Sequence, residues 1–295
     1  MASLRAQLDA PPPAADAWPA PAKLNLLLRI TGRRADGYHE LQTVFQFLDK
    51  GDWLRFIPRT DGRITRRGQV PGVPPEADLT VRAAEALAAL APRCQGVTIE
   101  LHKRLPLGGG LGGGSSDAAT VLVVLNRLWQ VGLDTHALAA VGLTLGADVP
   151  VFVRGRAAWG EGVGERLTPL DDLARPWYLV LAPAVAVSTK AVFQDPQLPR
   201  HSPSLDPAAF RRGVRGNDCE AVVYRQYPAI AAAARWLENF APARLTGTGC
   251  CVFAPFEDPL AAAAALAQKP QGLEGFIARG ENRSPLHRRL EEVII

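Results

Sequence analysis

Cysteine is scarce in this 295-residue chain, and Cys94, Cys219, Cys250 and Cys251 have no metal-ligand spacing. The last two are neighbours that would pair only under strain. Those absences argue against a disulfide-stapled or zinc-stapled scaffold and point to a reducing compartment. No stretch approaches about eighteen uninterrupted apolar residues, and the N-terminus lacks the apolar core of a signal peptide. The expectation is a cytoplasmic protein without a membrane partner. A surplus of one charge is missing too, since 33 Lys and Arg against 29 Asp and Glu leave +4. The arginine clusters at 33–34, 66–67, 211–215 and 288–289 are scattered, and no basic face alternates with aromatics. Nucleic acid is therefore not expected as a partner. No internal repeat is visible. Against these absences, 47% hydrophobic and 21% charged residues are ordinary for a globular enzyme, and the length suffices for one large domain or two moderate ones.

Residues 1–21, with Pro11, Pro12, Pro13, Pro19 and Pro21 among small residues, read as a disordered or extended tail. From Ala22, the residues Leu24, Leu26 and Leu28 alternate with Lys23 and Asn25, a strand with one apolar face and two polar side chains together on the other. A turn at 32–37 precedes Tyr38, His39 and a strand over 41–48; Lys50 and Gly51 read as a second turn, followed by a strand over 53–57. Helical spacing recurs over 79–90, and a strand is predicted over 97–102. Asp134 and Gly146 bracket a further helix as N-cap and C-cap. The second half reads as strands at 177–181 and 273–278, a short element at 189–193, a long helix over about 218–240 interrupted or kinked near Pro228, two strand pieces within 243–253, and a helix over 259–267. Strands and helices without regular βαβ alternation predict α+β layers in two domains, 22–160 and 161–295.

Between the strand ending at His102 and an amphipathic helix lies Pro106, Leu107, Gly108, Gly109, Gly110, Leu111, Gly112, Gly113, Gly114, Ser115, Ser116, Asp117. Six glycines permit positive φ and let a ligand approach the peptide N–H groups. A helix starting near Ser115 adds unpaired N–H groups and a positive dipole end, so the natural guest is a phosphate. Ser115 and Ser116 can cap the helix, donate to phosphate or face a metal ion, and at least one is expected to cap. A Walker loop is excluded, because no Lys-Ser or Lys-Thr follows the glycines. A dinucleotide fold fits poorly: Gly108, Gly110 and Gly113 match GxGxxG, but the expected second strand is replaced by another helix. A flexible linker fits worse still, given the flanking strand and helix.

Three other segments carry chemistry. Asp148, in Gly146–Pro150, reads either as a helix N-cap or as a base for a substrate hydroxyl. Lys23 faces either solvent or a carboxylate; an ammonium there favours the charged carboxylate and stabilises an emerging alkoxide. Thr246, Gly247, Thr248 and Gly249 read as a hairpin turn or as a place where backbone meets ligand.

The glycine string closely resembles the nucleotide-binding motif of the GHMP kinases. More narrowly, P-A-K-L-N at 21–25, D-G-Y-H-E-L-Q-T-V at 36–44, G-A-D-V-P-V-F at 146–152 and L-T-G-T-G at 245–249 resemble the 4-diphosphocytidyl-2-C-methyl-D-erythritol kinases. That resemblance implies an N-terminal domain of the ribosomal protein S5 domain 2 type, a ferredoxin-like C-terminal domain, and an active site between them. It implies ATP-dependent phosphorylation of the 2-hydroxyl of a cytidine-diphosphate conjugate of methylerythritol in the non-mevalonate isoprenoid pathway, with Mg²⁺ and with no protein metal ligands assigned. The protein would act as a monomer or homodimer. Asp148 would be the base and Lys23 its charge partner; Pro106 to Ser116 would wrap the ATP phosphates, with Lys103 beside the nucleotide. Asn25, Tyr38, His39, Thr189, Phe193, Thr246 and Gly247 would hold the substrate, His39 reading cytosine while Tyr38 and Phe193 sandwich it. Two departures stand out: the proline-rich extension lies outside the family's core, and Asp117 occupies a position where many members carry asparagine. Alternatives are a GHMP kinase with a mevalonate-type or homoserine-type acceptor, and a catalytically silent nucleotide-binding regulator.

Overall fold

A short helix, α1 (Leu4–Asp9), opens the computed structural model, which describes residues 3–68, 70–91 and 96–293. Ser3 caps it by accepting from the Ala6 N–H, and the prolines from Pro11 stop it. The expected extended tail is thus corrected: Leu8 is buried, Asp9 pairs with Lys50 at 2.8 Å, and the first strand begins at Trp18 rather than Ala22. Pro19 and Pro21 are tolerated there because this stretch pairs only with its hairpin partner and shifts register between Pro21 and Lys23.

That strand, β1 (Trp18–Arg33), pairs antiparallel with β2 (His39–Arg59) over nearly its whole length. The turn expected at Lys50 and Gly51 does not exist; β2 runs straight through it. A Cβ on Gly51 would lie 2.2 Å from the Ala20 carbonyl oxygen, so this glycine serves close strand approach.

After β3 (Ile64–Arg67), α2 (Leu79–Ala88) and β4 (Gly96–His102) comes the glycine loop, then α3 (Gly113–Leu128), α4 (Thr135–Leu145) and α5 (Val149–Arg154). Asp134 and Gly146 cap α4 as expected. β5 (Ala158–Gly162) and β6 (Arg166–Pro169) follow, and β5 pairs with β2. A boundary at residue 160 therefore falls inside a strand of the N-terminal sheet. The second half holds β7 (Trp177–Ala182), α6 (Thr189–Gln194), α7 (Pro207–Arg211), β8 (Gly216–Asn217), α8 (Glu220–Gln226), α9 (Pro228–Glu238), β9 (Arg244–Leu245), β10 (Val252–Phe256), α10 (Pro259–Ala267), β11 (Glu274–Glu281) and α11 (Pro285–Glu292). Pro228 divides the long helix into α8 and α9, as its missing N–H dictates.

The strand order β3-β4-β2-β11-β7-β10-β9 makes one path, in which β11 pairs with β2 on one side and β7 on the other. One core lies under α2 to α5; a second fills the C-terminal half and takes in Leu24, Leu26 and Leu28. Both faces of β1 are consequently covered, and its polar pair, Lys23 and Asn25, is buried instead of facing solvent. Cys219, Cys250 and Cys251 are free and buried, while Cys94 lies outside the described residues.

Candidate active site

Alternate glycines of the loop, Gly108, Gly110 and Gly112, take φ of 66°, 74° and 71°, a region that other residues enter only at a cost. Four successive carbonyls are pinned from one side. Gly108 O accepts from Cys250 N at 3.0 Å, Gly109 O from Cys251 N at 3.1 Å, Gly110 O from Thr246 Oγ1 at 3.2 Å, and Leu111 O from Lys23 N at 2.9 Å. In a planar trans peptide the N–H opposes the C=O, so the N–H groups of those units point the other way, as an anion cradle requires. The C-terminal half thus shapes the phosphate loop of the N-terminal half.

Helix α3 starts two residues before Ser115, and its N-cap is Gly112, with no side-chain bond. Neither Ser115 nor Ser116 caps it, which corrects the expectation: the positive φ of Gly112 already turns the chain into the helix. Ser116 is buried and its hydroxyl has no hydrogen-bond partner among the described residues.

Lys23, 3% exposed, places its ammonium 3.1 Å from Asp148 Oδ2, 2.5 Å from Asn25 Oδ1 and 5.6 Å from the centroid of Phe45. A buried charge so surrounded is satisfied and fixed. Asp148 sits at the N-cap position of α5 without capping it; its carboxylate turns to Lys23 and stays about one-third exposed. The pair lies against the loop, because a Cβ on Gly112 would come within 2.8 Å of the Phe152 ring and 3.0 Å of Lys23 Cε. The Asn25 amide donates to Thr43 Oγ1 at 2.8 Å, and Asn25 N donates to Thr246 Oγ1 at 3.1 Å. Gly247 lies beside Asn25 Oδ1. One hydroxyl, that of Thr246, therefore ties β1 to the phosphate loop.

Lys103 reaches the start of α3, near Gly113, where its ammonium meets Asp52 and, at 2.9 Å, Asp117. Asp52 also accepts from Arg104 N at 2.5 Å and Leu105 N at 2.8 Å, which anchors the entry to the loop. Burial outweighs Lys103 and pushes the Asp117 carboxyl up to about 8, while the two carboxylates push the Lys103 ammonium upward against its own burial.

At the other end, His39 stacks on Phe193 with centroids 5.0 Å apart and planes 27° apart. The ring against Phe193 is thus His39, whereas Tyr38 is 62% exposed on the preceding turn. Burial, then Arg200 and Arg33, holds the imidazole below its ordinary range. Thr189, at the head of α6, shares a 2.8 Å hydroxyl contact with Thr248, so α6 is joined to the segment that backs the glycine loop.

The model of the GHMP kinases N terminal domain matches residues 78–156, and that of the GHMP kinases C terminal matches 200–271. The 4-diphosphocytidyl-2-C-methyl-D-erythritol kinase of Halorhodospira halophila is 56% identical over 93% of this chain and 96% of its own. The enzyme of that name from Pseudomonas paraeruginosa is 55% identical over 94% and 98%. The chain belongs to this family of GHMP kinases. A crystal structure of 4-(cytidine 5'-diphospho)-2C-methyl-D-erythritol kinase, 34% identical, superposes with a TM-score of 0.75 over 90% of this chain and 99% of that one. A mevalonate kinase structure at 12% identity and TM-score 0.65 shares the fold.

Three residues of this GHMP kinase escaped the motif reading. Asp52 was hidden by the mistaken turn at Gly51. Asn217, on β8, donates to Leu245 O at 3.0 Å and Gly247 O at 2.7 Å, and so holds the segment that carries Thr246. Arg200 contacts both rings' neighbourhoods from a proline-rich loop that offers no periodic signal. Among the described residues no group of three His, Cys, Asp or Glu is placed to hold a metal, and no helix is long and apolar enough to cross a membrane.

Proposed function

We propose that this GHMP kinase transfers the γ-phosphoryl group of ATP to the 2-hydroxyl of 4-(cytidine 5'-diphospho)-2-C-methyl-D-erythritol, with Asp148 as base. The observation that carries this reading is the 3.1 Å contact of Lys23 Nζ with Asp148 Oδ2 beneath the glycine loop. Asp148 accepts the hydroxyl proton, the alkoxide oxygen bonds to the γ-phosphorus, and the bond from that phosphorus to the bridging oxygen of ADP breaks. Lys23 fixes the carboxylate and offers positive charge to the alkoxide. The N–H groups of Gly108 to Ser115 receive the phosphates, while that of Ser116 closes the first turn of α3 on Gly112 O and leaves its hydroxyl for the ligand; Pro106 and Leu107 lead in and Lys103 stands at the helix start. Mg²⁺ enters as part of its ATP substrate and neutralises phosphate charge.

Asn25, Thr189, Thr246 and Gly247 lie toward the acceptor, and Tyr38, His39 and Phe193 toward its base. The anchoring of the phosphate loop by Thr246, Cys250 and Cys251 supports a site between two units, an S5 domain 2-like half and a ferredoxin-like half with the change-over near residue 160. In this reading the enzyme works in the cytoplasm on a small molecule, as a monomer or homodimer, without nucleic acid.

The test is coupled ADP release from purified enzyme with MgATP and a panel of alcohols. Turnover with the cytidyl substrate and none with mevalonate or homoserine is expected; the reverse pattern rejects the assignment.

A further inference from the structure

Arg200 stands out among residues without an assigned role, because its guanidinium engages both members of the ring stack. Nε donates to His39 Nε2 at 3.3 Å, and Nη2 donates to Phe193 O at 3.2 Å and Asp195 O at 2.8 Å, while Nη1 donates to Leu198 O at 3.2 Å. A guanidinium has five N–H donors and no acceptor. His39 Nε2 must therefore present its lone pair to Arg200, and the proton of the neutral ring resides on Nδ1. No acceptor among the described residues takes that Nδ1–H.

The ring thus offers outward one donor and no acceptor. Cytosine carries a bare, accepting N3 between its amino group and its carbonyl; uracil carries N3–H at the same place. A fixed donor pairs with the first and faces another donor in the second, and an unpaired buried donor is costly. We propose that Arg200 is the positioning residue that locks His39 as the Nδ1–H tautomer and thereby makes the site select cytosine over uracil. Arg200 touches no reacting atom. The inference rests on the reading of His39 as the base-facing residue.

Two measurements test it. Long-range ¹H–¹⁵N correlation of the five ¹⁵N-labelled histidines, with His39 assigned by its loss in His39→Leu, is expected to show Nδ1 protonated and Nε2 bare. Protonation at Nε2 overturns the proposal without any variant at Arg200. The second is the ratio of kcat/KM for the cytidyl substrate to that for its uridyl analogue. Arg200→Met should lower that ratio about tenfold, one hydrogen bond's worth, through KM for the alcohol with KM for ATP unchanged. Arg200→Lys, which keeps a donor for Nε2, should retain most of the preference; if Arg200→Met does not fold, the tautomer seen in the parent decides. An unchanged ratio in folded Arg200→Met overturns the role of Arg200. If His39→Leu also keeps the ratio, the base-site reading itself fails; if His39→Leu loses it, only the Arg200 inference does.

Discussion

At the transfer end of the candidate site, Lys23 is buried on a strand covered on both faces, and Asp148 begins a helix whose next five residues are all in the core. At the base end, His39 and Phe193 come from the start of β2 and from a six-residue helix, held by one guanidinium bonded to loop carbonyls, with Tyr38 largely in solvent. Phosphoryl transfer depends on alignment within fractions of an ångström, so its residues lie on elements that cannot shift without disturbing a core. Base recognition uses ring faces and single hydrogen bonds, which tolerate adjustment. Substitutions at the first end should thus strike turnover, and those at the second should strike KM for the alcohol.

The largest effect is expected from Asp148→Asn. It keeps shape and leaves the loop intact, so ATP binding by calorimetry should match the parent while turnover falls about 10²–10⁴-fold. Full turnover removes Asp148 from the role of base. Next is Gly112→Ala, which places a methyl in a left-handed conformation and within 3.0 Å of both Phe152 and Lys23. Because Phe152 and Lys23 are locked, the loop must move, and turnover should drop about 100-fold in a protein that still folds. Wild-type turnover would mean that the loop is not held as tightly as its carbonyl bonds indicate. At the other end, Phe193→Ala should raise KM for the cytidyl substrate by about 5- to 30-fold, since losing one stacking face costs about 1–2 kcal/mol. Its kcat and its KM for ATP should stay put; a kcat loss instead would erase the distinction between the two ends.

How much was legible in the sequence follows a different divide, between positions that one residue decides and positions that a second segment decides. Local rules succeeded where one residue decides: Asp134 and Gly146 cap α4, Pro228 splits the long helix, and α10 spans 259–267 as its periodicity predicts. They failed where a second segment decides. Gly51 reads as a turn, yet it is glycine because β1 crosses it. Ser115 and Ser116 look like caps, yet Gly112 turns the chain first. Lys23 and Asn25 have the alternation of a solvent face, but Asp148, the glycine loop and the Thr246 segment close over it. The motifs named Lys23, Asp148 and the glycines at the transfer end and, through the family resemblance, Tyr38, His39 and Phe193 at the base end. Asp52, Asn217 and Arg200 act through other residues and belong to no local pattern, so only the folded chain brings them in.

The smallest effect probes whether the buried charges under the phosphate loop are a strain or a support. Lys103 serves two carboxylates, and Asp52 holds it together with two backbone N–H groups. Asp117 has the lesser share: one oxygen meets Lys103 and the other, buried, has no hydrogen-bond partner among the described residues. Burial sets its carboxyl at about 8 in the folded protein, above the 3.8 of a free aspartate. Between those values the native state holds a proton that the unfolded chain has released, so this group's contribution to stability falls as pH rises from 4 to 8 and is level beyond. Asp117→Asn cannot titrate, and its carbonyl oxygen still accepts from Lys103. Its melting temperature relative to the parent should climb across that window by up to about 10 °C and stop climbing above pH 8. A difference independent of pH would mean that Lys103 keeps Asp117 ionised throughout, making this carboxylate part of the loop's support.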